Sequence, residues 1–181
     1  MVCRLGQTPE IMGCEETQIV QNFTECFKRA VAGKTELIAI IFSARNISAR
    51  FGVLELCRCL KNNPLTKEIP VVVLMETIHR EMMVKLQETG ATLFKNYKAG
   101  ITIDLNWIKA LAKEGDPSAD IREAIKKLCP ALNHTGLDGQ EELTVCGAYM
   151  NRVLGGKRLH EVCETLNHLH CEYFINSGIS V

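Results

Sequence analysis

Apolar residues in this chain follow two patterns that alternate along the sequence. The runs Leu37–Phe42 and Ile69–Met75 contain no polar side chain, which is typical of strands buried on both faces of a parallel sheet. Apolar residues in the stretches 51–60 and 78–86 instead recur every three or four positions, as they do on one face of a helix. Strands that alternate with helices predict an α/β fold whose parallel strands are joined by right-handed crossovers.

Weaker signals add further elements on both sides of this central part. Asp116 and Pro117 form a helix-start signal, because aspartate caps a helix and proline suits its first position. Residues 131–140 have the composition of a loop. The remaining predicted elements, in chain order, are a strand at 10–14, a helix at 15–31, a short strand at 92–94 and helices at 105–112 and 121–128.

Two stretches of the chain resemble the receiver domains of two-component response regulators. They are LELCRCLKNNPLTKEIPVVVLM, residues 54–75, and ETGATLFKNYK, residues 88–98. A helix, a loop with Asn-Pro, the Thr-Lys-Glu-Ile-Pro approach to a strand and a Gly-Ala before the next strand match that family in order and spacing. The similarity covers roughly residues 9–113. It implies a flavodoxin-like parallel sheet flanked by helices and a role in signal transduction.

The resemblance also implies that the first strand of such a sheet is missing. The strand predicted at 10–14 and the helix at 15–31 would be the family's second strand and second helix. An incomplete sheet leaves backbone groups of a central strand unpaired, which is costly away from water. Val2–Leu5, a neighbouring subunit or a displaced strand would have to fill the gap, and pairing across a symmetry axis predicts a homodimer.

The chemistry of a working receiver is absent from the matching positions. Phosphoryl transfer in that family needs an acceptor aspartate, an acidic pair that binds Mg²⁺, a hydroxyl and a lysine at the strand ends. No Asp or Glu lies between positions 37 and 54, Met75 stands at the hydroxyl position, and Asn96-Tyr97 occupies the lysine region. The sequence therefore predicts a pseudo-receiver that is not an enzyme. A rewired site that uses Ser43 or His79 is the alternative.

Composition narrows the partners and the compartment. Lys+Arg and Asp+Glu both total 21, so the net charge is zero and no basic patch suggests nucleic-acid binding. The apolar runs are too short to span a membrane, and the amino end MVCRLGQTPE lacks the apolar core of a signal peptide. We therefore expect a cytoplasmic protein without a nucleic-acid or membrane partner. In a reducing compartment, its nine cysteines are expected to be core thiols or metal ligands rather than disulfides.

Cysteine and histidine are concentrated in CGAYMNRVLGGKRLHEVCETLNHLHCEYF, residues 146–174. The end of this segment resembles a small bacterial module in which cysteines, the last in a Cys-x-Tyr-Phe unit, close around a metal or cluster. Three thiolates with one imidazole suit tetrahedral zinc, and with a fourth thiolate they suit an iron–sulfur cluster. The predicted ligands are Cys146, Cys163, His168 and Cys171, with Cys129 or His170 as alternatives to His168. Buried free thiols and a redox disulfide are the competing interpretations.

Three segments and three functional hypotheses follow from these patterns. We expect a receiver-like α/β domain at 1–113, a helix and linker at 114–138 and a Cys/His module at 139–181. The leading hypothesis is a non-enzymatic signalling module that acts through protein contacts, with a histidine kinase or another signalling protein as its partner. One alternative is a redox or metal sensor whose C-terminal site switches partner binding. The other is an enzyme that uses Cys146 or Cys171 as a thiolate nucleophile.

Overall fold

The computed structural model describes residues 1–5, 10–13, 17–43, 47–91, 93–97, 100–114, 120–137 and 142–179, and the statements below concern these residues alone. The strands are β1 Val2–Leu5, β2 Ile11–Met12, β3 Ile19–Val20, β4 Ile38–Phe42, β5 Val71–Met75, β6 Leu93–Asn96, β7 Ile103–Asp104, β8 Leu132–Gly136, β9 Glu142–Cys146 and β10 Arg152–Val153. The helices are α1 Phe23–Val31, α2 Ile47–Asn62, α3 Arg80–Glu88, α4 Leu105–Glu114, α5 Ile121–Lys127, α6 Gly156–Arg158, a π-helix Leu159–Cys163, a 3₁₀-helix Leu166–His170 and α7 Glu172–Asn176. Among the described residues, no helix has both the length and the apolar character to pass through a membrane.

Five strands form a parallel sheet in the order β3-β1-β4-β5-β6. This order is compatible with a flavodoxin-like fold, in which ligands bind at the carboxyl ends of the strands. Every residue of β4 and β5 is buried, as their uninterrupted apolar runs predict. The predicted α/β architecture, a parallel sheet flanked by helices, is therefore confirmed.

The amino-terminal residues of the chain itself fill the position between β3 and β4. In β1, Val2 pairs with Ile19 of β3 on one side and with Ala39 of β4 on the other. The prediction of an incomplete sheet without a first strand is therefore wrong. Of the three ways to fill the gap that the sequence left open, the structure uses Val2–Leu5. The homodimer was predicted because pairing across a symmetry axis would fill the gap. With the gap filled by β1, this reason for a homodimer no longer applies.

The second strand of the sheet also differs from the predicted one. Strand β2, which coincides with the strand predicted at 10–14, pairs with β7 in a separate two-stranded sheet, and β3 is the edge strand of the main sheet. The side chain of Asn22 accepts a hydrogen bond from the Glu25 N–H and caps α1. Because the cap ends the extended stretch there, the helix predicted at 15–31 begins only at Phe23.

Helices cover both faces of the main sheet. Helices α1, α2, α3 and α5 pack on one face, whereas α4 and β7 pack on the other. Side chains of β4 alternate between the two cores, with Ile40 and Phe42 in the first and Ile41 in the second, because successive residues of a strand face opposite sides. The helix-start signal Asp116-Pro117 lies outside the described residues, and the side chain of Asp120 caps α5 instead.

The C-terminal part of the chain has its own sheet and its own core. The stretch 131–140, predicted as a loop, contains β8, which pairs antiparallel with β9, and β10 completes a three-stranded sheet. Pairing with β9 makes this polar stretch a strand, because strand preference depends on the neighbouring strand more than on composition. The core of this part is formed by Cys129, Ala131, Leu132, Cys146, Leu154, Leu159, Cys163 and Phe174. It therefore starts ahead of position 139, and β8 packs against α3.

Candidate functional site

Buried apolar side chains close the carboxyl edge of the parallel sheet. Phe42 ends β4 and Met75 ends β5, and both are fully buried. Tyr97 follows β6, and its hydroxyl donates a hydrogen bond to the Phe42 carbonyl oxygen at 3.3 Å. Burial, reinforced by Glu76, raises the pKa of Tyr97 to about 12, so that its hydroxyl stays a neutral donor. The half-buried Ser43 follows Phe42, so the end of β4 carries no acidic side chain for phosphoryl transfer, and the Glu76 carboxylate follows β5 instead.

A buried polar cluster lies beside this edge and joins the two parts of the chain. Arg50 lies near the start of α2, His79 is the residue that caps α3, and Glu142 begins β9. Arg50 Nη2 is 2.9 Å from Glu142 Oε1, and His79 Nε2 is 3.1 Å from Glu142 Oε2 and 2.5 Å from Arg50 Nη1. Arg50 is 8% exposed and His79 is 4% exposed. The Glu142 carboxylate therefore bridges two side chains from the main-sheet part.

Two stacked imidazoles complete this cluster. The His134 ring of β8 stacks on the His79 ring with 3.9 Å between ring centroids, and His79 Nδ1 accepts a hydrogen bond from the Met82 N–H at 3.2 Å. Burial lowers the pKa of His134 to about 4, assisted by His79. Burial and then the charge of Arg50 also lower the pKa of His79, against the opposing effect of Glu142. Both imidazoles are therefore neutral at pH 7.

The charged side chains of the cluster are the Arg50 guanidinium and the Glu142 carboxylate. Burial alone would raise the pKa of Glu142, but the hydrogen bond and charge of Arg50, together with His79, hold it below its ordinary value. Of these residues, only His79 was singled out by the sequence, as a rewired active-site residue. Arg50 carried a usable signal, because it shares the apolar face of its helix with Val53 and Cys57, and a charge on such a face needs a partner.

Four cysteines meet in the C-terminal core. Cys129 follows α5, Cys146 ends β9, Cys163 ends the π-helix, and Cys171 precedes α7 as its capping residue. The Cys129 N–H donates to the Cys163 carbonyl oxygen at 2.8 Å, which ties two of these segments together. Burial, with the nearby Cys129, Cys146 and Cys171 thiols, raises the pKa of Cys163 to about 12. Three of the predicted ligands thus lie in one core, and Cys129 joins them.

The two histidines considered as ligands are placed differently. The π-helix ends at Cys163, and His168 and His170 lie on the separate 3₁₀-helix that follows it. His168 is 1% exposed, its Nδ1 lies 2.7 Å from the Thr165 carbonyl oxygen, and its ring packs edge-on against Phe174 at 5.4 Å. His170 is exposed. Within the described ranges, no group of three or more His, Cys, Asp or Glu side chains is arranged to hold a metal ion.

Cys171 differs from the other three thiols because it reaches solvent. It borders an open surface groove of ≈ 650 Å³, lined also by Lys157, Arg158 and His170. Arg158 Nη2 donates to the Cys171 sulfur at 3.5 Å, and the same guanidinium lies 4.4 Å from the Tyr173 ring centroid. Burial opposes ionisation, but the Phe174 N–H, Arg158 and the Tyr173 N–H together lower the pKa of Cys171. This thiol can therefore ionise more easily than those of Cys129 and Cys163, whose pKa is raised by burial.

The cysteines of the main sheet have a packing role. Cys26 and Cys57 are fully buried in its core, as their positions on apolar helix faces predict, and Cys3 is buried beside them. Cys59 is exposed, and Cys14 lies outside the described residues. Every cysteine that the structure describes is a free thiol.

Comparison of the chain with family models, with curated proteins and with solved structures finds no match.

Proposed function

We propose that the chain is a non-enzymatic signal-transduction module, a pseudo-receiver that acts through protein–protein contacts and carries a metal-binding tail. The observation that supports it is the carboxyl edge of the sheet, where Phe42 and Met75 are fully buried. Phosphoryl transfer is catalysed by charge neutralisation and by positioning of the phosphoryl group, and neither side chain offers a charge or an oxygen. The scaffold of a receiver is then retained for contacts rather than for chemistry.

The strand order of the sheet supports the same proposal. The order β3-β1-β4-β5-β6 is that of flavodoxin-like folds, to which the sequence resemblance to receivers also pointed. A partner of this module is a histidine kinase or another signalling protein, and the module works in the cytoplasm, where its cysteines stay reduced. A homodimer stays a prediction, although the open position in the sheet that first suggested it is filled by β1.

A redox or metal sensor is the second candidate, favoured by the place where the C-terminal core meets α3. Burial raises the pKa of the Cys129 thiol, and the charge of Arg80, the first residue of α3, acts in the opposite direction. The preceding residue, His79, caps the same helix and contacts Glu142 of β9. A change in charge at the C-terminal thiols would therefore alter the electrostatic environment at the start of α3, beside the carboxyl edge of the sheet.

Incubation with acetyl phosphate and Mg²⁺, followed by intact-mass measurement, tests the leading proposal. We expect no added phosphate, and a catalytically competent receiver domain treated in parallel provides the positive control. An acid-labile phosphorylated form of this chain would contradict the proposal. Peptide mapping of that form would then show whether Ser43 or His79 carries the phosphate, the two residues of the rewired-site alternative.

A further inference from the structure

We propose that Arg50 and His79 form a binding site for a small tetrahedral oxyanion, inorganic phosphate, and that the Glu142 carboxylate of β9 occupies this site as an internal ligand. Phosphate and Glu142 then compete for the same two side chains. This inference goes beyond the proposed function, because it concerns reversible binding of an anion. It depends neither on contacts with a signalling partner nor on a metal in the C-terminal core.

The site lies where an α/β sheet usually binds its ligands. Arg50 belongs to α2, the helix that follows β4, and His79 caps α3, the helix that follows β5. Because β4 and β5 are adjacent and parallel, both side chains belong to segments that leave the carboxyl ends of neighbouring strands. Ligands of open α/β sheets bind outside this edge. The position therefore favours a ligand site.

Hydrogen-bond donors outnumber acceptors in this cluster. His79 Nδ1 accepts from the Met82 N–H at 3.2 Å, so the proton of the neutral ring is on Nε2 and is donated to Glu142 Oε2. Arg50 Nη1, which is also a donor, lies 2.5 Å from the same Nε2, so two N–H groups oppose each other. Arg50 Nε is buried and, within the residues that the structure describes, forms no hydrogen bond. One carboxylate therefore leaves part of this donor set unsatisfied.

A tetrahedral oxyanion matches this donor set better than a carboxylate does. It has more acceptor oxygens, and phosphate groups carry about −1.5 to −2 charges near pH 7. Arginine binds phosphate through two parallel N–H···O bonds. The His134 ring stacks on His79, and its Nε2 is buried without a hydrogen-bond partner in the described part of the chain. Because the Arg50 and His79 side chains are only 10% and 5% exposed, the site suits a small free ion.

The present occupant, Glu142, is placed where it can withdraw. Its side chain is 18% exposed, more than either of its two partners. Glu142 pairs with Gly136 at one end of the β8–β9 ladder, whereas the Leu132–Cys146 pair at the other end belongs to the C-terminal core. Withdrawal of the carboxylate therefore requires movement of the ladder end alone. Binding of phosphate would release the contact of β9 with the main-sheet part.

A second carboxylate near the site does not prevent anion binding. The charge of Glu81 acts on both His79 and His134. Its side chain is 67% exposed and forms an ion pair with Lys85. Water and the lysine weaken its repulsion of an anion.

Thermal unfolding of the full chain with Glu142→Ala tests this inference, with sodium chloride at equal ionic strength as the reference for sodium phosphate. Because the variant lacks the internal ligand, phosphate at about ten times its Kd should raise Tm by about 3–6 °C. In the unaltered chain, where Glu142 competes, the same concentration should raise Tm by less than about 2 °C. Glu55→Ala, the matched control that removes an exposed carboxylate, should behave like the unaltered chain. Glu142→Ala with Arg50→Met should respond no more than the control.

Histidine ring signals in nuclear magnetic resonance spectra of the unaltered chain provide a measurement that does not require Glu142→Ala to fold. High phosphate should shift the signals of His79 and His134 relative to chloride. The signal of His160, whose side chain is 67% exposed, is the internal control and should shift less. Unshifted His79 and His134 signals would overturn the inference. A Tm rise in Glu142→Ala no larger than in Glu55→Ala, or one that survives Arg50→Met, would overturn it as well.

Discussion

Removal of the charge on Glu142 should destabilise the protein markedly. Arg50 Nη2 lies 2.9 Å from Glu142 Oε1, and the two side chains are 10% and 18% exposed. At the effective dielectric constant of about 20 that suits partly buried pairs, charges at this distance attract by roughly 5–6 kcal/mol. In Glu142→Gln the amide dipole keeps part of this attraction, while Arg50 is left as a buried charge without a counter-charge. We expect a loss of about 2–3 kcal/mol in the free energy of unfolding.

Urea denaturation followed by far-UV circular dichroism measures this loss. The matched control is Glu55→Gln, which removes a carboxylate 3.0 Å from Arg58 in a pair whose side chains are 46% and 69% exposed. Exposed pairs of this kind contribute little, so the control should change the unfolding free energy by less than about 0.5 kcal/mol. Adding Arg50→Met to Glu142→Gln should recover part of the loss, because no buried charge then remains unpaired.

Two results would contradict the expected role of the Arg50–Glu142 pair. If Glu142→Gln costs no more than Glu55→Gln, the cluster of Arg50, His79 and Glu142 does not stabilise the junction between the two parts of the chain. If Arg50→Met worsens the defect instead of relieving it, the arginine matters through packing and not through its charge.

Three further predictions concern acid, packing and the C-terminal core. Because the pKa of His134 is lowered from 6.5 to about 4 in the folded protein, the unfolded state takes up its proton first, and stability should fall as the pH drops from 6.5 towards 4. Allowing for partial exposure, the loss should be about 1–2 kcal/mol in urea titrations, and His134→Phe should abolish most of it; an unchanged pH profile would contradict the assignment. Gly52→Ala would normally favour a helix, but its Cβ would lie 2.0 Å from Phe23 Cε2, so we expect a loss of about 1–3 kcal/mol that Phe23→Leu relieves. A gain in stability would show that Phe23 moves freely. Chelation of a metal-loaded chain should make residues after Ala131 protease-sensitive while the main sheet survives, and equal protection with and without chelator would exclude a structural metal.

Local pattern was sufficient for the central strands and the helices between them. The runs that became β4 and β5 have apolar side chains on both faces, and only a buried parallel strand gives every such side chain a protected place. Helical spacing likewise marked α2, α3, α4 and α5, because each buries one face against a sheet. In these elements burial follows a regular pattern along the chain, so the pattern of apolar residues in the sequence is enough to predict them.

Short strands were beyond the reach of local pattern. β2 and β3 have two residues each, too few to show any period, and which of them would join the main sheet depended on pairing with β1. β1 itself was recognised only as one of three ways to fill a gap. β8 has a polar sequence and becomes a strand because β9 lies beside it.

The candidate sites divide in the same way between sequence and tertiary structure. The sequence by itself determined that acidic phosphoryl chemistry is missing from 37–54 and that soft ligands are concentrated near the C-terminus, because both are matters of residue type. Only the tertiary structure decided that Cys129 lies with the other three thiols and that Arg50 meets Glu142. Contacts between residues so far apart in sequence depend on how the main sheet and the C-terminal sheet pack, and no local period of the chain encodes that packing.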